Sequence, residues 1–229
     1  MSKIVILTGA GISAESGLGT FRDEGGLWAQ HRIEDVATPE GFARDPDLVH
    51  EFYNAQRAQS RAANPNAAHF ALAKLQKEHR GDIVLVTQNV DRLHEAAGDQ
   101  DVCHMHGFLD GALCSSCDTR WPAPLVMSTT QQCPSCNAQT TRPDIVWFGE
   151  MPYHMETIYH HLSEADLFVA IGKSGNVYPA AGFVQEAVLS GADTLELNFE
   201  ASATISQFAQ AEFGKASEFV PTWVETILK

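Results

Sequence analysis

Short runs of apolar, mostly β-branched residues recur along this chain, and each run ends abruptly at glycine or polar residues. They cover residues 3–7, 83–86, 167–171 and 194–197, and the pattern resumes at 144–148. A continuous apolar run of this kind is typical of a strand that is buried on both faces, as in a parallel sheet. The pattern therefore predicts a sheet with both faces covered by helices.

Helix signals lie between these runs. Asp45-Pro46 predicts the start of a helix that continues to about Ala62, and Asn64-Pro65-Asn66 ends it and starts the next helix, over 67–78. Residues 18–40 lack periodicity and are predicted to be a long loop. The alternation of strands and helices predicts an α/β fold with a doubly wound parallel, Rossmann-like sheet. Further helices are predicted over 90–97, 179–190 and 219–228.

Two insertions interrupt this alternation of strands and helices, and they are predicted to form a smaller second part of the protein. Residues 1–229 as a whole are predicted to be a single unit. The first insertion, at about 41–79, is helical, and the second, at about 103–143, is interrupted by prolines and holds most of the cysteines. The larger, Rossmann-like part then consists of about 1–40, 80–102 and 144–229. A cleft between the two parts is the natural place for a ligand.

Four of the five cysteines form two Cys-x-x-Cys pairs, Cys114 with Cys117 and Cys133 with Cys136. Each pair offers two thiolates on a tight turn, and two such knuckles close a tetrahedron around one structural zinc ion, as in a zinc ribbon. Two disulfides or four unrelated thiols are the alternative interpretation. Cys103 is left alone, which fits a reducing, cytoplasmic setting better than a disulfide framework.

The charge balance narrows the class of partner. The formal net charge is −14, and such a chain repels phosphate backbones, so no nucleic-acid partner is expected. An acidic surface suits basic protein segments, although simple solubility is a sufficient explanation. The apolar run near the start is too short for a signal-peptide core, and no run approaches the length of a membrane span, so no membrane partner is expected.

A glycine-rich turn, Thr8-Gly-Ala-Gly-Ile-Ser13, follows the first predicted strand directly. Glycines at Gly9 and Gly11 let a backbone approach a pyrophosphate, which then lies at a helix N-terminus. The third glycine of a standard dinucleotide fingerprint is missing, and no acidic residue ends a second strand near position 30. A tight turn in another kind of α/β protein therefore remains the alternative.

Polar residues follow the second strand at Gln88-Asn89-Val-Asp91, and two histidines alternate at His104 and His106. Polar side chains at the carboxyl end of a parallel strand face the ligand crevice, where they can hold a carboxamide or ribose hydroxyls. Helix capping by Asn89 or Asp91 explains them equally well. A neutral histidine is suited to act as a general base, and zinc ligation is the alternative role.

Taken together, these motifs resemble the sirtuin family of NAD-dependent protein-lysine deacylases, similar to its prokaryotic deacetylase and desuccinylase branch. The resemblance covers nearly the whole chain. The matching segments, in family order, are Gly9–Ser13, Gly19–Arg22, Thr87–Asp91, His106-Gly107, the two cysteine knuckles, Val146–Glu150, Gly172 with Ser174, and Asn198–Glu200.

The resemblance implies roles for individual residues. His106 is the implied general base, with Asn89 and Asp91 as catalytic residues that hold the nicotinamide carboxamide. The implied zinc ligands are the four knuckle cysteines, and zinc takes no part in the reaction. The implied NAD contacts are Gly9, Ala10, Gly11, Ile12, Thr20, Phe21, Arg22, Trp28, Gln88, Asn89, Asp91, Gly172, Ser174, Asn198, Glu200 and Ala216. The implied substrate contacts are Tyr53, Gln56, Val146, Phe148, Gly149, Glu150, Asn176 and Val177.

The implied reaction removes acetyl groups from protein lysines at the expense of NAD, giving nicotinamide and O-acyl-ADP-ribose, with removal of succinyl groups left open. Mono-ADP-ribosyl transfer and a non-enzymatic, NAD-sensing zinc-ribbon module are the alternatives. We expect acyl-lysine proteins as partners and a cytoplasmic monomer.

This chain departs from the family pattern at two places. Lys173 stands where the family usually carries threonine, and its ammonium group either strengthens phosphate binding or points to solvent. The desuccinylase branch carries Tyr-x-x-Arg, but Gln56 lies three residues after Tyr53, and Arg57 follows one position late. Neighbouring positions on a helix differ by about 100° in direction, so Arg57 is not expected to take the place of the missing arginine.

Overall fold

The computed structural model describes residues 2–19 and 27–229. The described residues form two sheets, and no helix among them is both long and apolar enough to cross a membrane. The strands are β1 Ile4–Thr8, β2 Ile83–Thr87, β3 Cys103–His104, β4 Gly107–Cys114, β5 Arg120–Pro122, β6 Thr141–Ile145, β7 Leu167–Ile171, β8 Asp193–Asn198 and β9 Gln210–Phe213. The α-helices are α1 Gly11–Ala14, α2 Ile33–Val36, α3 Pro39–Arg44, α4 Pro46–Ala62, α5 Ala67–Glu78, α6 Leu93–Ala97, α7 Met155–Ser163, α8 Phe183–Leu189 and α9 Ala216–Ile227.

The large sheet has the strand order β3-β2-β1-β7-β8-β9, and every pair in it is parallel. From β1 the chain builds outward through β2 and β3, and it later returns to the other side of β1 with β7. The order therefore reverses between β1 and β7, and ligands of open α/β sheets bind beyond the carboxyl ends of the strands at such a point. The predicted doubly wound parallel sheet is confirmed.

Alternate residues of each strand enter two different cores, because successive side chains of a strand point to opposite faces. Ile4 and Ile6 pack with α5 and α9 on one face of the sheet. Val5 and Leu7 pack with α7 and α8 on the other. The packing of α5 differs from our expectation, since we assigned this helix to the smaller part and it belongs to the core around the large sheet. The remaining boundaries between the two parts stay a prediction.

The second sheet has the order β5-β4-β6 and is antiparallel. Its inner side chains form a separate apolar core with α2 and α4, which includes Phe52, Tyr53, Leu109 and Trp147. This sheet places the zinc-ribbon segment beside the carboxyl ends of the large sheet, because β3 of the large sheet leads through two residues into β4.

Two predictions about single elements are wrong, and two short strands were not predicted. The strand predicted at 144–148 is the end of β6 in the small sheet, and its last residues leave the strand because the backbone N–H of Phe148 donates to the Ala37 carbonyl. Within the predicted loop at 18–40, the described residues contain a 3-10 helix at Leu27–Gln30, then α2 and the start of α3. The short edge strands β3 and β9 carry no apolar run, so the sequence pattern did not indicate them.

Candidate active site

The glycine-rich turn lies directly against the turn that follows β7. The backbone N–H groups of Gly9 and Gly11 donate to the carbonyls of Ile171 and Gly172, at 2.9 and 2.8 Å. A Cβ atom at either glycine comes within 2.8 Å of the Gly172 carbonyl oxygen. Both glycines are therefore required for the close approach of two strand ends at the topological switch point, whatever ligand they also admit.

Asn89 and Asp91 meet the start of α1 beyond the end of β2. The Asn89 side-chain amide donates to the Gly9 carbonyl and to the Ser13 hydroxyl, both at 3.2 Å. The Ser13 hydroxyl donates to one Asp91 oxygen at 3.0 Å, and the other oxygen accepts the Leu93 N–H at 2.9 Å. Both side chains are 8% exposed. Burial raises the pKa of Asp91, although the Leu93 N–H and the Ser13 hydroxyl oppose that rise.

His104 ends β3 and His106 lies two residues beyond it, and the two histidines have different hydrogen-bond partners. Nδ1 of His106 donates to the Gln88 carbonyl at 3.1 Å, and Nδ1 of His104 donates to the Asn89 carbonyl at 3.0 Å, because a carbonyl can only accept. Nε2 of His104 also contacts the Glu95 carboxylate at 2.6 Å. The neutral tautomer of His106 that donates from Nδ1 carries its lone pair on Nε2, and burial lowers the pKa of His106. His106 is therefore the histidine that is arranged as a base.

Lys173 does not point to solvent. Its side chain is 4% exposed, and its ammonium group donates to the Thr204 hydroxyl at 2.9 Å and lies 5.3 Å from the ring centre of Phe208. Burial lowers the pKa of Lys173 to about 8, while the negative charge of Glu196 acts in the opposite direction. Of the two roles that we considered from the sequence, the solvent-facing one is wrong, and a role in phosphate binding stays a prediction.

The Asn198 side chain is largely occupied within the protein. Its amide nitrogen donates to the Lys173 carbonyl at 2.7 Å and to the Glu196 carboxylate at 3.1 Å, and its oxygen accepts the Phe199 N–H at 3.0 Å. Both amide hydrogens are thus used, and only the oxygen retains hydrogen-bonding capacity. Asn198 can accept a hydrogen bond from a ribose hydroxyl, but it cannot donate one without losing an internal hydrogen bond.

The other predicted NAD contacts are spread over several elements. Ser174 follows β7, and Ala216 is the first residue of α9 and is buried in the core. Ile12 is buried in the same core, so only its backbone is available to a ligand. Trp28 packs edge-on against Phe52 at 4.8 Å, in the core of the small sheet. Thr20, Phe21 and Arg22 lie outside the described residues, Glu200 is exposed beyond β8, and Gln88 is half-buried.

The residues predicted to read the acyl group lie on α4. The Tyr53 hydroxyl accepts the Trp147 indole N–H at 3.1 Å, and burial raises the pKa of Tyr53. Gln56 is half-buried one turn further along the same face. Arg57 is fully buried, and its guanidinium donates to the Leu109 carbonyl at 2.6 Å and to the Asn54 side chain at 2.8 Å. Arg57 is thus directed into the small core, where it cannot substitute for an arginine at position 56.

The segment predicted to line the acyl-lysine tunnel follows β6. The Val146 N–H donates to the His106 carbonyl at 2.9 Å, which places Val146 next to the predicted base. Phe148 is 46% exposed, and Gly149 has a φ of +93°.

The Glu150 carboxylate is held by Arg142, at 2.7 and 2.9 Å. The Glu150 N–H donates to the Trp147 carbonyl, so at this residue only the carbonyl is left for an added strand. On the other side, Asn176 is exposed and Val177 half-buried.

The four knuckle cysteines converge on one point. All four sulfur atoms lie within 4.8 Å of one another, with Cys114 and Cys136 3.6 Å apart and Cys117 and Cys133 3.7 Å apart. Zinc–sulfur bonds of about 2.3 Å in a tetrahedron put the sulfurs about 3.8 Å apart, so the donor set and spacing fit zinc.

The two knuckles share one backbone pattern. In the first, the Asp118 N–H donates to the Cys114 carbonyl at 2.9 Å, and in the second the Asn137 N–H donates to the Cys133 carbonyl at 3.0 Å. Asp118 and Asn137 have φ values of +56° and +60°. Aspartate and asparagine tolerate this left-handed conformation better than most residues do. Their occurrence directly after the second cysteine of each pair is a sequence signal for these turns that we had not used.

Sequence reasoning missed a group of buried polar residues behind the site. Thr8, Thr87, His94 and Asp99 form a hydrogen-bonded chain beneath Asn89. Their residue types are ordinary for a strand end or a short helix, so the pattern along the chain carries no signal for this contact.

Comparison with known proteins identifies the family. The sequence profile of the Sir2 family matches residues 9–179, which is most of the chain. The chain belongs to the Sir2 family. This Sir2-family chain is 55% identical over 229 residues to a Vibrio parahaemolyticus protein named NAD-dependent protein deacylase, covering 99% of this chain and 95% of that protein. A protein of the same name from Escherichia coli K12 is 54% identical over 230 residues, covering 99% and 82% of the two chains.

Solved structures give the same result for the fold. A crystal structure of a Sir2 homolog in complex with NAD is 35% identical to this Sir2-family chain, with a TM-score of 0.91 and coverage of 99% of this chain and 91% of that one. A Sir2 structure with a deacetylated p53 peptide and 3′-O-acetyl-ADP-ribose is 28% identical, with a TM-score of 0.83 and coverage of 97% and 92%.

Proposed function

We propose that this Sir2-family protein is an NAD-dependent protein deacylase. It consumes acyl-lysine, NAD and water, and it yields free lysine, nicotinamide and O-acyl-ADP-ribose. The observation that carries this proposal is the position of His106, a neutral base beyond the carboxyl ends of the parallel strands. Its Nδ1 is held by the carbonyl of Gln88, whose neighbour Asn89 is predicted to hold the leaving group. A base of this kind is suited to remove a proton from a hydroxyl group.

The residues around the switch point supply a place for NAD. When bound, NAD provides an activated ribose with nicotinamide as its leaving group. We propose that the turn at Gly9–Gly11 holds the pyrophosphate, that Asn89 and Asp91 hold the carboxamide, and that Gln88 and Asn198 hold the two riboses. The remaining NAD contacts given under Sequence analysis stay predictions, including Thr20, Phe21 and Arg22. Zinc has a structural role in this proposal, because four cysteine ligands leave no open position for a substrate.

We propose that the acyl group contacts Tyr53 and Gln56 on α4 and Val146 and Phe148 in the segment after β6. The Tyr53 hydroxyl accepts the Trp147 N–H and keeps its own proton for a hydrogen bond, and burial raises its pKa further. Gln56 offers only neutral donors where the desuccinylase pattern has a guanidinium, and Arg57 is held elsewhere by the Leu109 carbonyl. We therefore propose that the protein favours neutral acyl groups, with acetyl-lysine as the main substrate.

This preference predicts the effect of restoring the charge. A hydrogen bond to a charged group contributes about 1.5–3 kcal/mol, against about 1 kcal/mol for a neutral pair. Gln56→Arg is expected to raise kcat/KM for a succinyl-lysine peptide about tenfold and to leave that for the acetyl-lysine peptide unchanged. Gln56→Met is the neutral control, and it is expected to raise kcat/KM for neither peptide. Selective loss of desuccinylation in Arg57→Ala, with no response to Gln56→Arg, would show that Arg57 reads the carboxylate.

We propose protein segments as the substrates, bound as an extra strand between the backbones at 149–150 and 176–177, where main-chain groups give affinity. The net charge of −14 favours basic segments. We further propose that the protein acts as a cytoplasmic monomer without nucleic-acid or membrane partners. Four thiolate ligands support a reducing compartment, and light scattering of the purified protein measures the oligomeric state.

The deciding experiment follows both halves of NAD. The protein is incubated with NAD that is labelled in the adenosine half and with acetyl-lysine, succinyl-lysine or unmodified peptide. We expect nicotinamide release only with an acylated peptide, and label only in a free acyl ester of ADP-ribose. Label attached to protein would instead indicate mono-ADP-ribosyl transfer. NAD binding without any nicotinamide release would indicate a sensing module.

A further inference from the structure

A chain of four buried polar side chains runs beneath the carboxyl ends of β1 and β2, and the proposed reaction does not use it. Asp99 Oδ2 lies 3.2 Å from His94 Nδ1, and His94 Nε2 lies 3.0 Å from the Thr8 hydroxyl. The Thr8 hydroxyl donates to the Thr87 hydroxyl at 2.8 Å. Each of the four side chains is at most 5% exposed. Buried polar groups are costly unless they are hydrogen-bonded, so this arrangement calls for an explanation.

The direction of the hydrogen bonds along this chain is fixed. Thr8 has one hydroxyl proton and donates it to Thr87, so its oxygen accepts from His94. Nε2 of His94 therefore carries a proton. The contact to Asp99 then needs one more proton, either on Nδ1 of an imidazolium or on the carboxyl group, and burial raises the pKa of Asp99. In both states His94 donates towards Thr8, and the direction of the chain stays the same.

The chain ends at the backbone of Asn89. The Asn89 N–H donates to the Thr87 hydroxyl oxygen at 3.0 Å, so this oxygen accepts from Thr8 and from Asn89. The Asn89 side chain is held separately, by the Gly9 carbonyl and the Ser13 hydroxyl. The backbone and the side chain of Asn89 are thus fixed from two sides.

We propose that Thr8 and His94 are positioning residues that orient Asn89 for the nicotinamide carboxamide, acting through the Thr87 hydroxyl. This inference rests on the proposed function, which assigns Asn89 to the carboxamide. Ser13 and the Gly9 carbonyl hold the Asn89 side chain independently of Thr8. Loss of the Thr8 hydroxyl therefore loosens Asn89 but leaves its side chain in the site. The effect belongs to the nicotinamide half of the site and leaves the ADP-ribose half unchanged.

Thr8→Val tests the proposal, because valine keeps the branched shape and removes the hydroxyl group. The first readout is the KM for nicotinamide when labelled nicotinamide is exchanged into NAD in the presence of acetyl-lysine peptide, called the exchange KM below. The second is the Kd for ADP-ribose, which lacks nicotinamide. We expect the exchange KM to rise about tenfold, equivalent to about 1.4 kcal/mol, and the Kd for ADP-ribose to stay within about twofold. Thr8→Ser, which keeps the hydroxyl, is expected to restore most of the loss.

Thr194→Val is the matched control. Thr194 lies near the start of β8, at the opposite end of the sheet from the site, is 2% exposed, and accepts the Ala209 N–H at 2.9 Å. Thr194→Val removes a buried threonine hydroxyl, as Thr8→Val does, and it is expected to lower the free energy of unfolding without changing the exchange KM. The control separates a general loss of stability from a specific effect on Asn89.

Thr87→Val provides an independent variant if Thr8→Val does not fold, and it is expected to raise the exchange KM by at least as much. Because Thr8 acts through Thr87, the double variant is expected to equal Thr87→Val alone, whereas independent effects add. Equal exchange KM values in wild type, Thr8→Val and Thr87→Val would overturn the inference, and so would a parallel rise in the Kd for ADP-ribose. Wild-type protein without any exchange would overturn the proposed function, so the wild-type measurement tells the two failures apart.

Discussion

At the residue scale, hydrogen-bond partners decide which of two similar side chains can react. His104 has a carbonyl on Nδ1 and a carboxylate on Nε2, whereas the described partner of His106 is the Gln88 carbonyl on Nδ1. An imidazole with partners on both nitrogens is held as a donor, and a base needs a free lone pair. The same residue type therefore has a structural role at one position and a proposed catalytic role two residues later.

His106→Ala is predicted to reduce deacetylation by about 10²–10⁴-fold, the range for loss of a general base. The Kd for ADP-ribose is expected to remain unchanged, since the variant removes a base and no predicted phosphate contact. His104→Gln is the comparison variant, and it is expected to cost less than about tenfold because His104 acts through the Asn89 carbonyl. Equal losses in the two variants would contradict the assignment of the base to His106.

The pH dependence of the reaction follows from the burial of His106. Burial lowers the pKa of His106 below its ordinary 6.5, although the bond to Gln88 offsets part of that shift. The base works only when it is unprotonated, so activity falls as pH drops through the lowered pKa. The acidic limb of kcat/KM is therefore expected to have its midpoint below pH 6.5. A midpoint clearly above that value in a pH series would rule out His106 as the titrating base.

Burial of Lys173 affects the stability of the protein and how that stability depends on pH. The pKa of Lys173 falls from 10.5 to about 8 in the folded protein, mainly because of burial. Between these two values the unfolded chain binds a proton that the folded chain does not, so the free energy of unfolding rises with pH. Below pH 8 the cost of burying the charge is fully present.

The prediction compares wild type with Lys173→Met, which keeps the length of the side chain and removes the charge. The difference in free energy of unfolding, wild type minus variant, is expected to rise between pH 8 and pH 10 by up to about 1.4 kcal/mol per pH unit. Urea unfolding of both proteins at several pH values measures it. Parallel curves for the two proteins across this range would show that Lys173 does not titrate there.

At the element scale, the two zinc knuckles stabilise the outer end of the small sheet, away from the apolar core that it shares with α2 and α4. The outer part of the small sheet has a core of few buried residues, Ala112, Ala123 and Met127. The two knuckles meet through sulfur pairs at 3.6 and 3.7 Å, and the Ser115 N–H donates to the Thr140 carbonyl beside them at 3.0 Å. A structural zinc site of this kind contributes to folding, so the four cysteines are expected to stabilise this end of β4, β5 and β6.

Cys133→Ser is predicted to abolish stoichiometric zinc binding and to unfold the small sheet, since sites of this kind contribute on the order of 10 kcal/mol to folding in model peptides. Zinc content by mass spectrometry and the melting temperature measure the two effects. Cys103→Ser is the matched control, because Cys103 lies in β3 outside the tetrad and is expected to leave the zinc content unchanged. A zinc-free variant with wild-type melting temperature and activity would remove zinc from the structural account.

At the scale of the whole molecule, the strand order brings distant segments to one edge. The ends of β1, β2, β3, β7 and β8 meet there because the sheet is parallel throughout. The hydroxyls of Thr8 and Thr87 are in contact although 79 residues separate them in the chain. The candidate active site is thus a property of the topology, because several strand ends contribute residues to it.

The sequence by itself determined the elements that depend on local pattern. Apolar runs marked β1, β2, β7 and β8, and helix start and stop signals marked α4 and α5 with the bounds that the structure has. The spacing of the four cysteines indicated the metal site, since ligands on two tight turns define it locally. Motifs directly after strands indicated the candidate site, because parallel strand ends meet at one edge.

Only the tertiary structure decided where particular side chains point. It directed Lys173 into the protein towards Thr204 and Arg57 towards Leu109, and it placed α5 in the core of the large sheet. It also brought His94 to the Thr8 hydroxyl. The reason is physical: the direction and protonation of a buried polar side chain depend on partners far away in the sequence, and local periodicity carries no information about those partners.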